Sequence, residues 1–233
     1  MNILQAENLT KQFDGHTAVS GLNLTLRKGE IFCLLGQNGA GKTTTINLFL
    51  GFVAPSSGKA LIKGVEVSAG DTETKKFIAY IPEVVQLYGN LDGIENLDFF
   101  SRLAGYRYSR DLLNGFLIRA GLQSEAHTKR LSTYSKGMRQ KVGIAIALAK
   151  NADVILMDEP TSGLDPKATA EFTSICKELA AEGRSIFMAT HDIFNAVNVG
   201  THIGIMKQGS LVHTTNTANI TAAELQQLYL ESI

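Results

Sequence analysis

Two apolar patterns alternate along the chain and predict two kinds of strand. At 31–35, 154–157 and 185–189 nearly every position is apolar. Runs this short and this uniform read as strands covered on both faces, as in parallel sheets. Residues 3–9 and 22–26 instead alternate apolar with polar side chains, which predicts antiparallel strands with one wet face. Further strands are expected at 59–62 and 77–81. A helical segment at 168–181, stopped by Gly183, separates two of the apolar runs; strand, helix and strand in that order predict a parallel, buried sheet. Residues 42–50 read as a helix with Gly51 as its stop, followed by a turn at Pro55-Ser56-Ser57-Gly58. Beyond Pro82 the character changes to short helical stretches at 91–103 and 111–120, and this continues to Lys150. Thr221-Ala222-Ala223-Glu224 reads as a capping box that opens a last helix, to about Leu230. The expected architecture is α/β: a core of 1–82 and 151–215 around a parallel sheet, beginning with an antiparallel β subdomain, with a helical lobe inserted at 83–150 and a short tail at 216–233.

Composition narrows the partners. The chain has 233 residues, 44% of them hydrophobic, enough for a substantial core. Its 22 Lys and Arg balance its 22 Asp and Glu, so it lacks the basic excess that neutralises a phosphate backbone, and nucleic acid is not expected as a partner. No charged and then apolar leader is present and no apolar stretch is long enough to span a bilayer, so a cytoplasmic chain is expected. Cys33 and Cys176 lie in apolar contexts without metal spacing and are expected to be buried free thiols.

The candidate chemistry starts directly after the run at 31–35. Gly36-Gln37-Asn38-Gly39-Ala40-Gly41-Lys42-Thr43-Thr44 turns a strand through glycines into a helix. Glycines let successive backbone N–H groups curl around a phosphate, and the helix N-terminus adds positive potential. Lys42 then reaches the outer phosphate oxygens and the Thr43 hydroxyl can hold Mg²⁺. The pattern predicts a phosphate-loop NTPase core that binds a nucleoside triphosphate. Asp158-Glu159 end the run at 154–157, where ligands sit in parallel α/β sheets. Asp158 there can hold the Mg²⁺ shell while Glu159 polarises a water against the γ-phosphate. His191 likewise ends an apolar strand, placed to donate a hydrogen bond to a γ-phosphate oxygen. His16, His127, His202 and His213 are read as ordinary histidines.

With Tyr134-Ser135-Lys136-Gly137-Met138-Arg139-Gln140 and Ser162-Gly163-Leu164-Asp165 added to these segments, order and spacing over essentially the whole chain resemble an ATP-binding-cassette ATPase. The resemblance implies that Phe13 stacks on adenine, that the loop residues Gly36, Asn38, Gly39, Gly41, Lys42, Thr43 and Thr44 hold ATP and Mg²⁺, and that Glu159 is the catalytic base. It also implies that Ser135 and Gly137 grip the γ-phosphate of ATP on an opposite subunit, and that Asp165 lies in the loop facing that subunit's site. A helix expected over 137–149, just after Ser135, makes this second anion site physically reasonable. Two copies would sandwich two ATP molecules in a twofold arrangement, a homodimer being the expected form. The working partner would be a separate integral membrane permease, which places the chain peripherally on the inner face of the membrane. Val84, Leu87, Tyr88, Leu91, Phe99 and Phe100 are candidates for the docking groove.

Two departures from the usual family pattern stand out. The signature reads Tyr134-Ser135-Lys136-Gly137-Met138 where most cassettes have Leu-Ser-Gly-Gly-Gln, and Glu83 stands where the family has a glutamine that reaches the Mg²⁺ shell. A carboxylate can still coordinate Mg²⁺, but it adds negative charge near Glu159, so slower or more partner-dependent turnover than with Gln is expected. These features and the short tail resemble cassettes of bacterial exporters. The rival reading is a soluble cassette ATPase acting on ribosomes or nucleic acid, which would be expected to show paired cassettes, a coiled coil or basic stripes. A small-molecule kinase would leave the signature and Asp165 unexplained.

Overall fold

The computed structural model describes residues 1–70 and 72–232. Its elements run β1 (Asn2–Phe13), β2 (His16–Arg27), β3 (Ile31–Leu35), α1 (Lys42–Phe49), β4 (Ser57–Ile62), β5 (Val65–Glu66), β6 (Ile78–Ile81), α2 (Gly93–Leu103), α3 (Arg110–Arg119), α4 (Lys136–Ala149), β7 (Val154–Asp158), α5 (Pro166–Ala181), β8 (Ser185–Thr190), α6 (Ile193–Val199), β9 (His202–Lys207), β10 (Ser210–Asn216) and α7 (Ala222–Ser232).

A six-stranded sheet in the order β10-β9-β3-β8-β7-β6 divides the molecule, and a four-stranded sheet, β2-β1-β4-β5, lies on one side of it. Strands β3, β6, β7, β8 and β9 are mutually parallel, and β10 pairs antiparallel to β9 at the edge. The all-apolar strands alternate between two cores. Ile31, Cys33, Leu35, Ile155, Met157, Ile186 and Met188 face the core shared with α2 to α7. Phe32, Leu34, Val154, Leu156, Phe187 and Ala189 face the core shared with α1 and the four-stranded sheet. Continuous apolar runs were needed because both faces are covered. Cys33 and Cys176 are buried free thiols, and burial pushes the Cys33 thiol up to about 12, so neither cysteine offers a reactive thiolate.

The N-terminal strands are longer than their alternation predicts. In β1 the pairing register shifts between Ala6 and Leu9, and Asn8 takes a left-handed φ of 47°. That bulge puts the side-chain alternation out of step and hides the rest of the strand from a period-two reading. β9 and β10 carry no clear strand pattern in the sequence. β9 contains Gly204, a strand-weakening residue; a Cβ there would come 2.7 Å from a Leu211 methyl and 2.8 Å from the Phe32 ring, so the glycine makes room for that ring. β10 is mostly polar because it is an edge strand.

Helix starts follow local chemistry. Asp92 and Glu95 form a capping box at α2, so this helix begins two residues later than its apolar pattern suggests. Ser109, Ser135, Asp165 and Asp192 cap α3, α4, α5 and α6 with their side chains. The reciprocal Thr221 and Glu224 bonds open α7 as expected.

Candidate functional site

The loop between β3 and α1 is held in shape by backbone geometry. Gly41, the residue before α1, has φ 108°, and a Cβ on it would collide with the carbonyl oxygen of Ala18 in β2. A Cβ on Gly36 would approach the Met206 carbonyl to 2.7 Å. The loop thus runs against β2 and β9 at distances only glycine permits.

Lys42, only 6% exposed, donates to the carbonyl oxygens of Gly36 at 2.7 Å and Gln37 at 3.3 Å. It also pairs with Glu159 Oε1 at 3.3 Å. The Thr43 hydroxyl donates to Asp158 Oδ2 at 2.8 Å, joining α1 to the end of β7. Among the described residues, Asp158 Oδ1 is buried without a hydrogen-bond partner. Glu159 has a left-handed φ of 45°, strain of a kind that gathers at functional sites. Its Oε2 accepts from His191 Nδ1 at 2.8 Å and from the His191 backbone N–H at 3.3 Å. With a carboxylate accepting, the ring proton sits on Nδ1, so Nε2 becomes a donor only in the imidazolium form.

Lys42, Thr43, Asp158 and Glu159 share one cleft of about 430 Å³, lined also by Phe13, His16, Ala18, Gln37, Asn38, Gly39, Gly41, Thr44 and Glu83. Phe13 is 43% exposed at its rim, with the Lys11 ammonium 4.7 Å from its ring centre. His16, read as an ordinary histidine, is a wall of this cleft. His191 does not line it but reaches it through Glu159, and with Ser162, Gly163 and Gln226 borders an adjoining cavity of about 420 Å³. Ser135, Gly137 and Asp165 do not line the cleft of their own chain. Ser135 caps α4 and Asp165 caps α5, accepting from Ala168 N–H at 2.9 Å. Tyr134 is a core residue whose hydroxyl donates to the Ala126 carbonyl at 2.6 Å, which accounts for an aromatic side chain at that signature position.

The contacts that tie the Glu83 segment to its neighbours have no clear mark in the sequence. Glu83 Oε1 accepts from the Ser162 hydroxyl at 2.9 Å and lies 3.6 Å from the Lys136 ammonium. Buried Gln140 donates to the Pro82 and Glu83 carbonyl oxygens at 3.3 and 3.2 Å. The only signal was that Lys136 and Gln140 are four apart and so share a helix face.

Desolvation raises the Asp158 carboxyl from its ordinary value; Glu159 and Glu83 push the same way, while the Thr43 hydrogen bond and Lys42 oppose. The folded protein therefore binds this proton more tightly than the unfolded chain. Stability falls as pH rises through the interval between the two values, and the penalty persists at neutral pH. Asp158→Asn keeps an acceptor for Thr43 and removes the buried charge, so at neutral pH its Tm is expected to rise. The gain should vanish below the carboxylate range. A lower Tm at neutral pH, measured by thermal melting, would contradict this account.

A glycine loop that closes a strand onto a helix, with a buried lysine and paired carboxylates across a cleft, defines a phosphate-loop nucleotide-binding protein. The family model described as "ABC transporter" matches residues 19–162. The bacitracin transport ATP-binding protein BcrA of Enterococcus faecalis is 35% identical over 219 residues, 94% of this chain and 70% of its own length. The linearmycin resistance ATP-binding protein LnrL of Bacillus subtilis is 33% identical over 212 residues, 90% of this chain and 68% of its own. Among solved structures, cbiO1 of Clostridium perfringens, part of an ABC transporter complex, superposes with a TM-score of 0.86 at 27% identity, covering 98% of this chain and 95% of that one. A dimeric post-hydrolysis state of the cassette MJ0796 bound to ADP and Pi superposes with a TM-score of 0.81 at 26% identity, covering 92% and 99%. The chain belongs to the ABC transporter family, as an ATP-binding cassette with ATPase activity.

Proposed function

We propose that this cassette drives a separate membrane permease of the exporter type, and that it hydrolyses ATP in composite sites formed with a second cassette. The observation that carries the reading is the convergence of Lys42, Thr43, Asp158, Glu159, Glu83 and Phe13 on one cleft. In this reading the loop amides and Lys42 hold the phosphates, and Phe13 stacks on the adenine at the rim. Glu159 takes the proton of the attacking water, oriented by His191.

Mg²⁺ fits the donor set. Among the described residues no three His, Cys, Asp or Glu side chains form a metal cage. The Thr43 hydroxyl, the free Asp158 oxygen and Glu83 would serve an ion that brings most of its ligands as phosphate and water. When bound, such an ion neutralises developing phosphate charge.

Ser135 and Gly137 are read as the half-site for the opposite subunit's γ-phosphate. In support, a Cβ on Gly137 would meet its own chain only at ordinary contact distance, 3.5 Å from Ala168 Cβ, so internal packing does not demand glycine there. The dimeric state of MJ0796 and the transport and resistance roles in the relatives' names support the dimer and the export direction. Among the described residues no helix is long and apolar enough to cross a membrane. The permease is expected to dock beside the Glu83 loop, where Val84, Tyr88 and Phe99 are exposed and Tyr88, Phe99 and Phe100 form a ring cluster; Leu87 packs against the core instead.

The test is light scattering during size-exclusion chromatography on Glu159→Gln protein. Removing the base while keeping the binding groups should trap a dimer with ATP and Mg²⁺, and lower turnover by roughly 10²–10⁴-fold. A chain that stays monomeric while binding ATP tightly would refute self-assembly into composite sites.

A further inference from the structure

The two departures from the usual family sequence, Glu83 and Lys136, meet in the folded chain. Helix α4 holds the Glu83 segment in two ways. Gln140 grips the backbone at the Pro82 and Glu83 carbonyls from a buried position. Lys136, one turn earlier, reaches the Glu83 carboxylate across 3.6 Å, with 33% and 51% of the two side chains exposed. The backbone grip is fixed, whereas the side-chain pair is open to solvent and free to exchange partners.

Their surroundings say what the exchange would be. Lys136 is the first residue of α4, between Ser135 and Gly137, and its ammonium lies 3.8 Å from where a Cβ on Gly163 would stand. Glu83 lines the nucleotide cleft but is turned toward Lys136 and Ser162. A triphosphate offers an ammonium more negative charge and more acceptor oxygens than one half-exposed carboxylate does.

We propose that Lys136 is a positioning residue that changes partner: in the free chain it holds Glu83, and in the ATP sandwich it moves to the triphosphate of the opposite subunit and releases Glu83 into its own cleft. This rests on the sandwich reading above. It makes each site's Glu83 responsive to the nucleotide across the interface. It also explains why a carboxylate at 83 goes with a lysine at 136 in this chain.

The test is a double-mutant cycle in the Glu159→Gln background, reading the ATP concentration at half-dimerisation by light scattering. Glu83→Gln frees Lys136 and should lower that midpoint by roughly threefold, the scale of an exposed ion pair. Lys136→Met and Lys136→Gln should raise it by at least as much, and Lys136→Arg should hold it near the parent value. On the Lys136→Met background Glu83→Gln should no longer lower the midpoint, because there is no Lys136 ammonium left to free. The proposal is overturned if Glu83→Gln lowers the midpoint equally on both backgrounds, or if neither neutral substitution at 136 raises it. A parent that never dimerises with ATP overturns the sandwich reading and this proposal together, whereas a dimerising parent with additive effects overturns this proposal alone.

Discussion

Lys42→Ala is expected to lower ATP turnover by about 10²–10³-fold, the size of effect seen when one preorganised donor to transition-state charge is removed. The side chain is 6% exposed, and its ammonium sits among the Gly36 and Gln37 carbonyls and Glu159. A buried cation held by its own loop is positioned before any ligand arrives, so its charge acts on phosphate oxygens with little reorganisation. Truncation also leaves Glu159, 14% exposed, beside Asp158 without the ammonium that pairs with it. Nucleotide affinity should therefore fall along with turnover. Lys42→Arg should rescue little, because the planar fork cannot replace a compact ammonium among those carbonyls. Phosphate release and binding of a fluorescent ATP analogue measure the two effects. Turnover within tenfold of the parent would mean that this cleft is not where the triphosphate is cleaved.

Gly41→Ala should have the largest effect on stability. The position combines φ 108° with a Cβ direction that runs into the Ala18 carbonyl and comes within 2.9 Å of Met206 Cε. The methionine can move, but the Ala18 oxygen belongs to a paired strand, so β2 or the loop must shift. A steric clash with backbone, added to left-handed strain, is expected to cost about 3 kcal/mol or more. Tm should drop by roughly 6–12 °C, at about 2–4 °C per kcal/mol in a chain of this size. Even folded protein should bind ATP poorly, since the loop amides no longer converge. A Tm within measurement error of the parent would show that the loop is free to relax and that the glycine answers only to the ligand.

The site was legible where its chemistry is contiguous. Gly36 to Thr44 form one turn between one strand and one helix, and Ser135 and Asp165 are each followed by the helix they cap. Asp158 and Glu159 could be placed because a uniformly apolar run leaves its last residues at a strand end. What could not be read were contacts between distant segments. The Ser162 hydroxyl reaches Glu83 across 79 residues of sequence and Thr43 reaches Asp158 across 115. His16 lines the cleft only because β2 lies beside the phosphate loop.

The kind of protein is legible in short stretches of the chain. Strand period, glycine placement and capping are dictated by backbone sterics and hydrogen bonding within a few residues, so they survive without knowledge of the fold. The strand order, the role of Gly204 in making room for Phe32, and the pairing of Glu83 with Lys136 follow from packing between distant segments. A charge has no partner along the chain unless helix period or strand register brings one near. The partner of Glu83 is chosen by how α4 packs beside β6, through interactions that act across space and leave no mark in the local pattern.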